Sequence, residues 1–350
     1  MDPDTSWRDR LLGWVHKRFS SSQSPLSKRR GPRDHVIILD GTMSSLRPGR
    51  QTNAGQTYLL LKEVPGLSLF YEAGVQWDSW SATPDVMMGR GINMQICRAY
   101  GYLASRYHAG DRVFLLGYSR GAFAVRSLGG IIDRVGLLHT DAATERNIRQ
   151  VYRLYQIDPD GDAARAFARL YCHSSASIEM VGAWDTVKAL GLRLPVLWRL
   201  TEPEHDFHNH QLGRHIRHGY HALALDETRQ AYTPVMWRCP DGYDGQVEQV
   251  WFRGTHGDVG GHLDGTETSR PLANIPLVWM LERLERHGIQ LPQGWRGRFP
   301  CDPDAPSMGT WNGLGRLFVL RAPRVVGADR SERIHDTVPR AEDGKPAPAE

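Results

Sequence analysis

Apolar residues along the chain gather into short, mainly apolar runs separated by longer stretches of helical period. The runs are Val36 to Leu39, Leu67 to Tyr71, Val113 to Leu116, Ile178 to Trp184 and Val247 to Phe252. None shows the in–out alternation of a strand with one wet face, so each predicts a strand buried on both sides. Between them, windows around 90–107, 120–135, 144–170 and 272–287 repeat apolar positions at helical spacing. Strands alternating with helices predict an α/β fold, a mostly parallel sheet with helices on both faces.

The ends of the chain pattern differently. Residues 1–34 read as a flexible basic leader, with "SSSQSPLSKRRGPRDH" rich in Ser, Pro and Arg. Within it, residues 7–19 set Trp7, Leu11, Val15 and Phe19 on one face of an amphipathic helix, with basic side chains elsewhere. Peripheral contact with an anionic membrane and docking on the folded domain are both open readings of that face. Residues 35–340 are the folded domain, and the tail 341–350, with almost no apolar content, is expected to be disordered. The apolar stretch "ALGLRLPVLWRL" at 189–200 reads either as a helical lid or acyl-binding insert, or as ordinary core.

Composition narrows the function classes. The net charge of +4 comes from arginines scattered among acids, without the basic stripe of a nucleic-acid binder. Cys97, Cys172, Cys239 and Cys301 are far apart, which argues against a disulfide framework or structural zinc and for reduced cytoplasmic thiols. No apolar run approaches the roughly 20 residues that span a bilayer. The N-terminus also lacks a signal-peptide pattern, so any export would use another route.

The chemistry centres on Gly117-Tyr118-Ser119-Arg120-Gly121, between the run "VFLLGY" and the helical pattern that follows. A serine on a strained strand-to-helix turn lifts its hydroxyl above the sheet, and the flanking glycines let the backbones cross there. The backbone N–H of Arg120, at the helix start, is then an oxyanion donor. Such an elbow expects an acid and then a histidine after later strands. Asp185 ends "IEMVGAWD", and His256 follows "QVWFRGT" in a glycine-rich loop. The rival acids Asp206, Asp226 and Asp258 do not directly end a clear apolar run. Asp258 reads as a loop organiser. Gly41 and Thr42, after the first strand, are candidates for the second oxyanion donor; alternatively Asp40 and Thr42 only knit that turn. The Arg120 side chain is expected to bind a phosphate headgroup or to brace loops through Asp40 or Asp258. His205, His208, His210, His215, His218 and His221 crowd a segment that reads as irregular, and a metal site needs rigid placement, so these are taken as structural. No metal or cofactor is expected.

Taken together, "DGT", "GYSRGAFAVRSLGGII", "VGAWDTVKALG", "HALALDETR" and "VWFRGTHGDVGG" occur in the order seen in an α/β-hydrolase domain family that includes type VI secretion phospholipase effectors. The chain resembles that family from about Val36 to Leu291, with a weaker echo at "ERIHDTVPR". It carries Met43-Ser44 where the family has Trp-Asn, and Gly257 where serine is common. The resemblance implies an α/β-hydrolase fold, with Ser119 as nucleophile, Asp185 as acid and His256 as base. It also implies ester hydrolysis on lipids through an acyl-enzyme. A hydrolase of small soluble acyl esters and a non-catalytic binding module are the alternatives.

Overall fold

The apolar runs come together in one parallel sheet. The computed structural model describes residues 30–74, 90–187, 211–239, 246–311 and 318–339. Its strands are β1 (Asp34–Leu39), β2 (Ser68–Glu72), β3 (Arg112–Tyr118), β4 (Ile178–Trp184), β5 (Ile216–Ala224), β6 (Gln246–Phe252) and β7 (Glu332–Ile334). They lie in the order β2-β1-β3-β4-β5-β6-β7 and every pairing is parallel. The helices are α1 (Asn53–Leu61), α2 (Arg90–Ala104), α3 (Arg120–Arg134), α4 (Glu145–Ile157), α5 (Asp162–Tyr171), α6 (His256–Gly260) and α7 (Arg270–Arg286).

Successive strand residues feed opposite cores, which is why the runs carry no polar alternation. Ile37, Leu39, Val113 and Leu115 pack with α2, α3 and α4 on one face. Val36, Ile38, Phe114 and Leu116 pack with α1 and α7 on the other. Fully burying each such side chain contributes on the order of 1.5–3 kcal/mol. In α3, Ala124, Val125, Leu128, Ile131 and Ile132 make one apolar stripe against the sheet. The architecture is therefore α/β, with a parallel sheet covered on both faces.

Two expectations about elements change, and one helix comes where the pattern predicts none. The window 144–170 is two helices, because Asp158 precedes Pro159 and takes φ −160°, outside the helical region. Helix α1 had no clear apolar period: its buried Asn53 donates to the carbonyls of Val259 and Ala273, so a polar residue occupies the packed face. Most consequentially, the segment around His215 to His221 is not irregular. Ile216–Ala224 forms β5, between β4 and β6. Its polar residues broke the apolar run, yet His221 is fully buried, accepting from the Thr186 N–H at 3.0 Å and facing Gln249 Oε1 at 3.4 Å.

Order reverses between β1 and β3: the chain adds β2 outside β1 and then crosses to β3 on the other side. At such a switch point the loops at the carboxyl ends of the strands diverge and open a crevice. The loop after β1 and the turn after β3 both lie there. Residues 7–19, 189–200 and 341–350, and with them the leader helix, the lid and the tail, fall outside the described residues, as do Asp206, His205, His208 and His210. Residues from Arg33 onward form one compact unit, with Met1–Pro32 a separate one. Among the described residues, no helix is long and apolar enough to cross a membrane.

Candidate active site

Ser119 occupies the single residue between β3 and α3, with φ 57° and ψ −120°. A non-glycine residue in that region is strained, and it persists only where its surroundings over-determine it. Here they do. A Cβ on Gly121 would come within 2.1 Å of the Leu39 carbonyl oxygen, and one on Gly117 within 2.6 Å of the Gly121 oxygen. The two glycines let α3 cross directly over β1, and this crossing forces the serine to turn outward.

The other two residues arrive from later strands. Asp185 follows β4, also at positive φ (41°), and its N–H is held by the Ala222 carbonyl of β5 at 2.8 Å. His256 opens α6 after β6, where Thr255 and Asp258 form a reciprocal cap. Ser119 Oγ lies 2.9 Å from His256 Nε2, and His256 Nδ1 lies 2.6 Å from Asp185 Oδ2. With the Nδ1–H donating to the carboxylate, Nε2 is left as an acceptor for the serine hydroxyl. That chain of hydrogen bonds can move a proton off the hydroxyl and stabilise the imidazolium that results.

Burial disfavours a charged imidazole and holds His256 below the ordinary histidine value, although Asp185 and Glu227 pull the other way. Asp185 is fully buried, which alone would raise its pKa. The Arg324 guanidinium, followed by the hydrogen bonds of His256 and Arg324, overcomes that and leaves the carboxyl well below the usual carboxylate range.

A second layer braces the imidazole. Glu227 Oε2 accepts the His256 N–H at 3.2 Å and pairs with Arg229 through both oxygens. The Tyr232 ring lies 4.7 Å from the His256 ring, and the Arg229 guanidinium lies over the Tyr232 ring at 4.1 Å. Tyr118 flanks the imidazole at 4.9 Å and donates to the His256 carbonyl. Glu227, Tyr232 and Arg324 are absent from the sequence reading. Glu227 sits within "HALALDETR", one of the segments that carried the resemblance. Nothing local marks Arg324.

The remaining candidates divide. Gly41 lies against Ser119, since a Cβ there would be 3.3 Å from the serine Cβ. Its N–H, however, donates to Asp40 Oδ1 at 2.7 Å, so it is already taken. Among the described residues the Thr42 N–H makes no hydrogen bond, so Thr42 and Arg120 remain the candidates for oxyanion donors in this loop and turn. Asp40 also accepts from Thr52 Oγ1 at 2.6 Å and Tyr71 Oη at 2.8 Å. Asp258 accepts from Thr255, Ser307 and the Met308 N–H, tying the His256 loop to residues 307–308. Both carboxylates are thus filled by neighbours, and Arg120 bonds to neither among the described residues. Its guanidinium is instead largely buried, beside Tyr232, with burial pushing its pKa down. Asp226 does lie at the end of β5, one residue past Leu225, but it accepts the Gly254 N–H at 2.6 Å.

At the opposite end of the sheet, Glu179, His218 and His287 bring three donor groups together. The two imidazoles stack at 4.0 Å with planes only 29° apart.

The match to a family model covers residues 33–283, and the family is described as the type VI secretion phospholipase effector Tle1-like catalytic domain. The chain is also similar to the uncharacterized protein YEL023C of Saccharomyces cerevisiae, at 25% identity over 253 residues, covering 62% of this chain and 36% of that one. Among solved structures, an uncharacterized protein from Pseudomonas aeruginosa aligns at 15% identity and TM-score 0.44, covering 85% of this chain and 53% of that one. The Tle1 effector bound to the VgrG spike of the type VI secretion system aligns at 16% identity and TM-score 0.35, covering 66% of this chain and 51% of that one. This chain thus spans about a third of the length of the curated relative and half that of the solved ones. With the family model matched over well more than half of its residues, the protein belongs to the Tle1-like phospholipase effector catalytic-domain family.

Proposed function

We propose that this protein is a serine hydrolase that cleaves the carboxylic ester bonds of lipids, phospholipids among them. The observation that carries the reading is the hydrogen-bonded chain from Ser119 through His256 to Asp185, hung from the strained turn after β3. Membership of a phospholipase effector family supports the lipid as substrate. So do exposed apolar side chains on segments that touch the site: Met43 beside Thr42, and Val319, Leu320 and Val325 around Arg324.

In this reaction His256 Nε2 takes the Ser119 proton as Oγ attacks the ester carbonyl. Asp185 holds the Nδ1–H tautomer and offsets the imidazolium charge. The N–H groups of Arg120 and Thr42 hold the oxyanion, each lowering the barrier by about 3 kcal/mol. Collapse expels the alcohol, which receives the proton from His256. Water, deprotonated by the same imidazole, then frees the acid and restores the serine.

A fluorophosphonate probe and a chain-length series of nitrophenyl esters test this together. Ser119 should be labelled, and kcat/KM should rise with acyl length and on phospholipid vesicles. Activity confined to the shortest esters would point to a small soluble acyl substrate. A folded protein that is neither labelled at Ser119 nor active would be a binding module and would remove the proposal.

A further inference from the structure

Arg324 enters the site from a segment with no regular secondary structure, beyond the residues that the family model matches. That segment lies along residues 228–230: the Ala322 N–H donates to the Thr228 carbonyl at 2.8 Å, and the Gln230 N–H to that of Leu320 at 3.0 Å. Val325 is exposed while the Arg324 side chain is 95% buried, so the guanidinium turns inward from a surface strap. It donates from Nη1 to Asp185 Oδ1 at 2.5 Å and from Nη2 to Oδ2 at 2.9 Å. The same nitrogens donate to the Ala224 carbonyl at 2.7 Å and the Tyr232 carbonyl at 2.6 Å. One side chain therefore holds the acid, the end of β5 and the tyrosine whose ring covers the base.

We propose that Arg324 is a positioning residue of this site, one that grips Asp185 through both ends of its guanidinium and sets the lower pH limit of the reaction. The proposal rests on the triad reading above. A buried ion pair is commonly no more stabilising than an apolar substitute, so fold stability alone gives little reason for a cation here. Its chemical effect is larger. The acid limb of kcat/KM reports proton uptake by His256 and Asp185 as a coupled pair. A cation fixed against that pair opposes uptake, whichever partner accepts the proton. The other charged and titratable groups facing the pair are Glu227 and Arg229, which offset one another, Tyr118, Tyr232, and His221, which burial keeps neutral. Arg324 is the cation that touches the acid directly.

The test is the pH dependence of kcat/KM on a short nitrophenyl ester for the full chain and for Arg324→Gln and Arg324→Lys, with a thermal melt of each. Removing the charge should lift the acid limb by about one pH unit or more. Lysine, a single-point charge without the fork, should lift it by less. A role confined to packing would lower rates at every pH or lower the melting temperature without moving the limb. Should Arg324→Gln not fold, the limb of Arg324→Lys decides. A limb coincident with that of the unmodified protein, in folded variants, overturns the proposal and leaves the triad intact. Absence of fluorophosphonate labelling at Ser119 in the unmodified protein overturns the triad itself.

Discussion

In the proposed reaction Ser119, Asp185 and His256 have different roles, so their substitutions should fail in different ways. Ser119→Ala should cut ester turnover by about 10⁴- to 10⁶-fold and leave the melting temperature nearly unchanged. An active, folded alanine variant would move the nucleophile elsewhere. Asp185→Asn should lose on the order of 10⁴-fold, because the amide favours the wrong imidazole tautomer, and it also faces Arg324 without a charge. Asp226→Asn keeps an oxygen for the Gly254 N–H and should retain most activity. The reverse ranking in matched assays would transfer the acid role to Asp226. The base sets the pH response. Reaction needs a neutral imidazole, and burial extends the neutral form to lower pH. The acid limb of kcat/KM should therefore have its midpoint below the 6.5 of an ordinary histidine, and a midpoint at or above that value would count against this account of His256.

At the scale of elements, the contact of β1, β3 and α3 decides whether the serine turn exists. Gly121→Ala places a methyl group where the Leu39 carbonyl stands, 2.1 Å away, so α3 must back off the sheet. The expected cost is about 1–3 kcal/mol, with slower fluorophosphonate labelling as Ser119 loses its strained conformation. A melting temperature and labelling rate equal to those of the unmodified protein would show that the close crossing is not what holds the turn. Elements whose buried faces are mainly apolar are legible in the sequence: β1, β3, β4 and α3 stand close to where their patterns put them. Helix α1 and β5 are not, since Asn53 and His221 sit on their buried faces. Those polar groups are satisfied by carbonyls, N–H groups and an amide from distant parts of the chain. No local period could show such partners.

For the whole molecule, the separate unit Met1–Pro32 offers a clean cut. As a proposal, the amphipathic pattern of residues 7–19 brings the protein to anionic membranes, with each basic residue near the surface adding about 1 kcal/mol of attraction. Removing residues 1–32 should then abolish binding to anionic vesicles at low salt while hydrolysis of a short soluble ester continues. Vesicle binding that persists would rule the leader out as the anchor. A lower melting temperature in the truncated chain would instead favour docking of that segment on the domain.

The order of motifs along the chain was enough to choose Ser119, Asp185 and His256, because each ends or follows a strand and all strands of a parallel sheet point their carboxyl ends the same way. It was also enough for the α/β architecture, since most strands buried on both faces read as mainly apolar runs, β5 being the exception. What surrounds that chain of hydrogen bonds was decided only in three dimensions. The Gly41 N–H is lost to its own neighbour Asp40, and Arg120 finds neither Asp40 nor Asp258 open to it. Arg324 reaches Asp185 across 139 residues of chain. Such pairings depend on which groups burial leaves in need of a partner, and sequence position carries no record of that need.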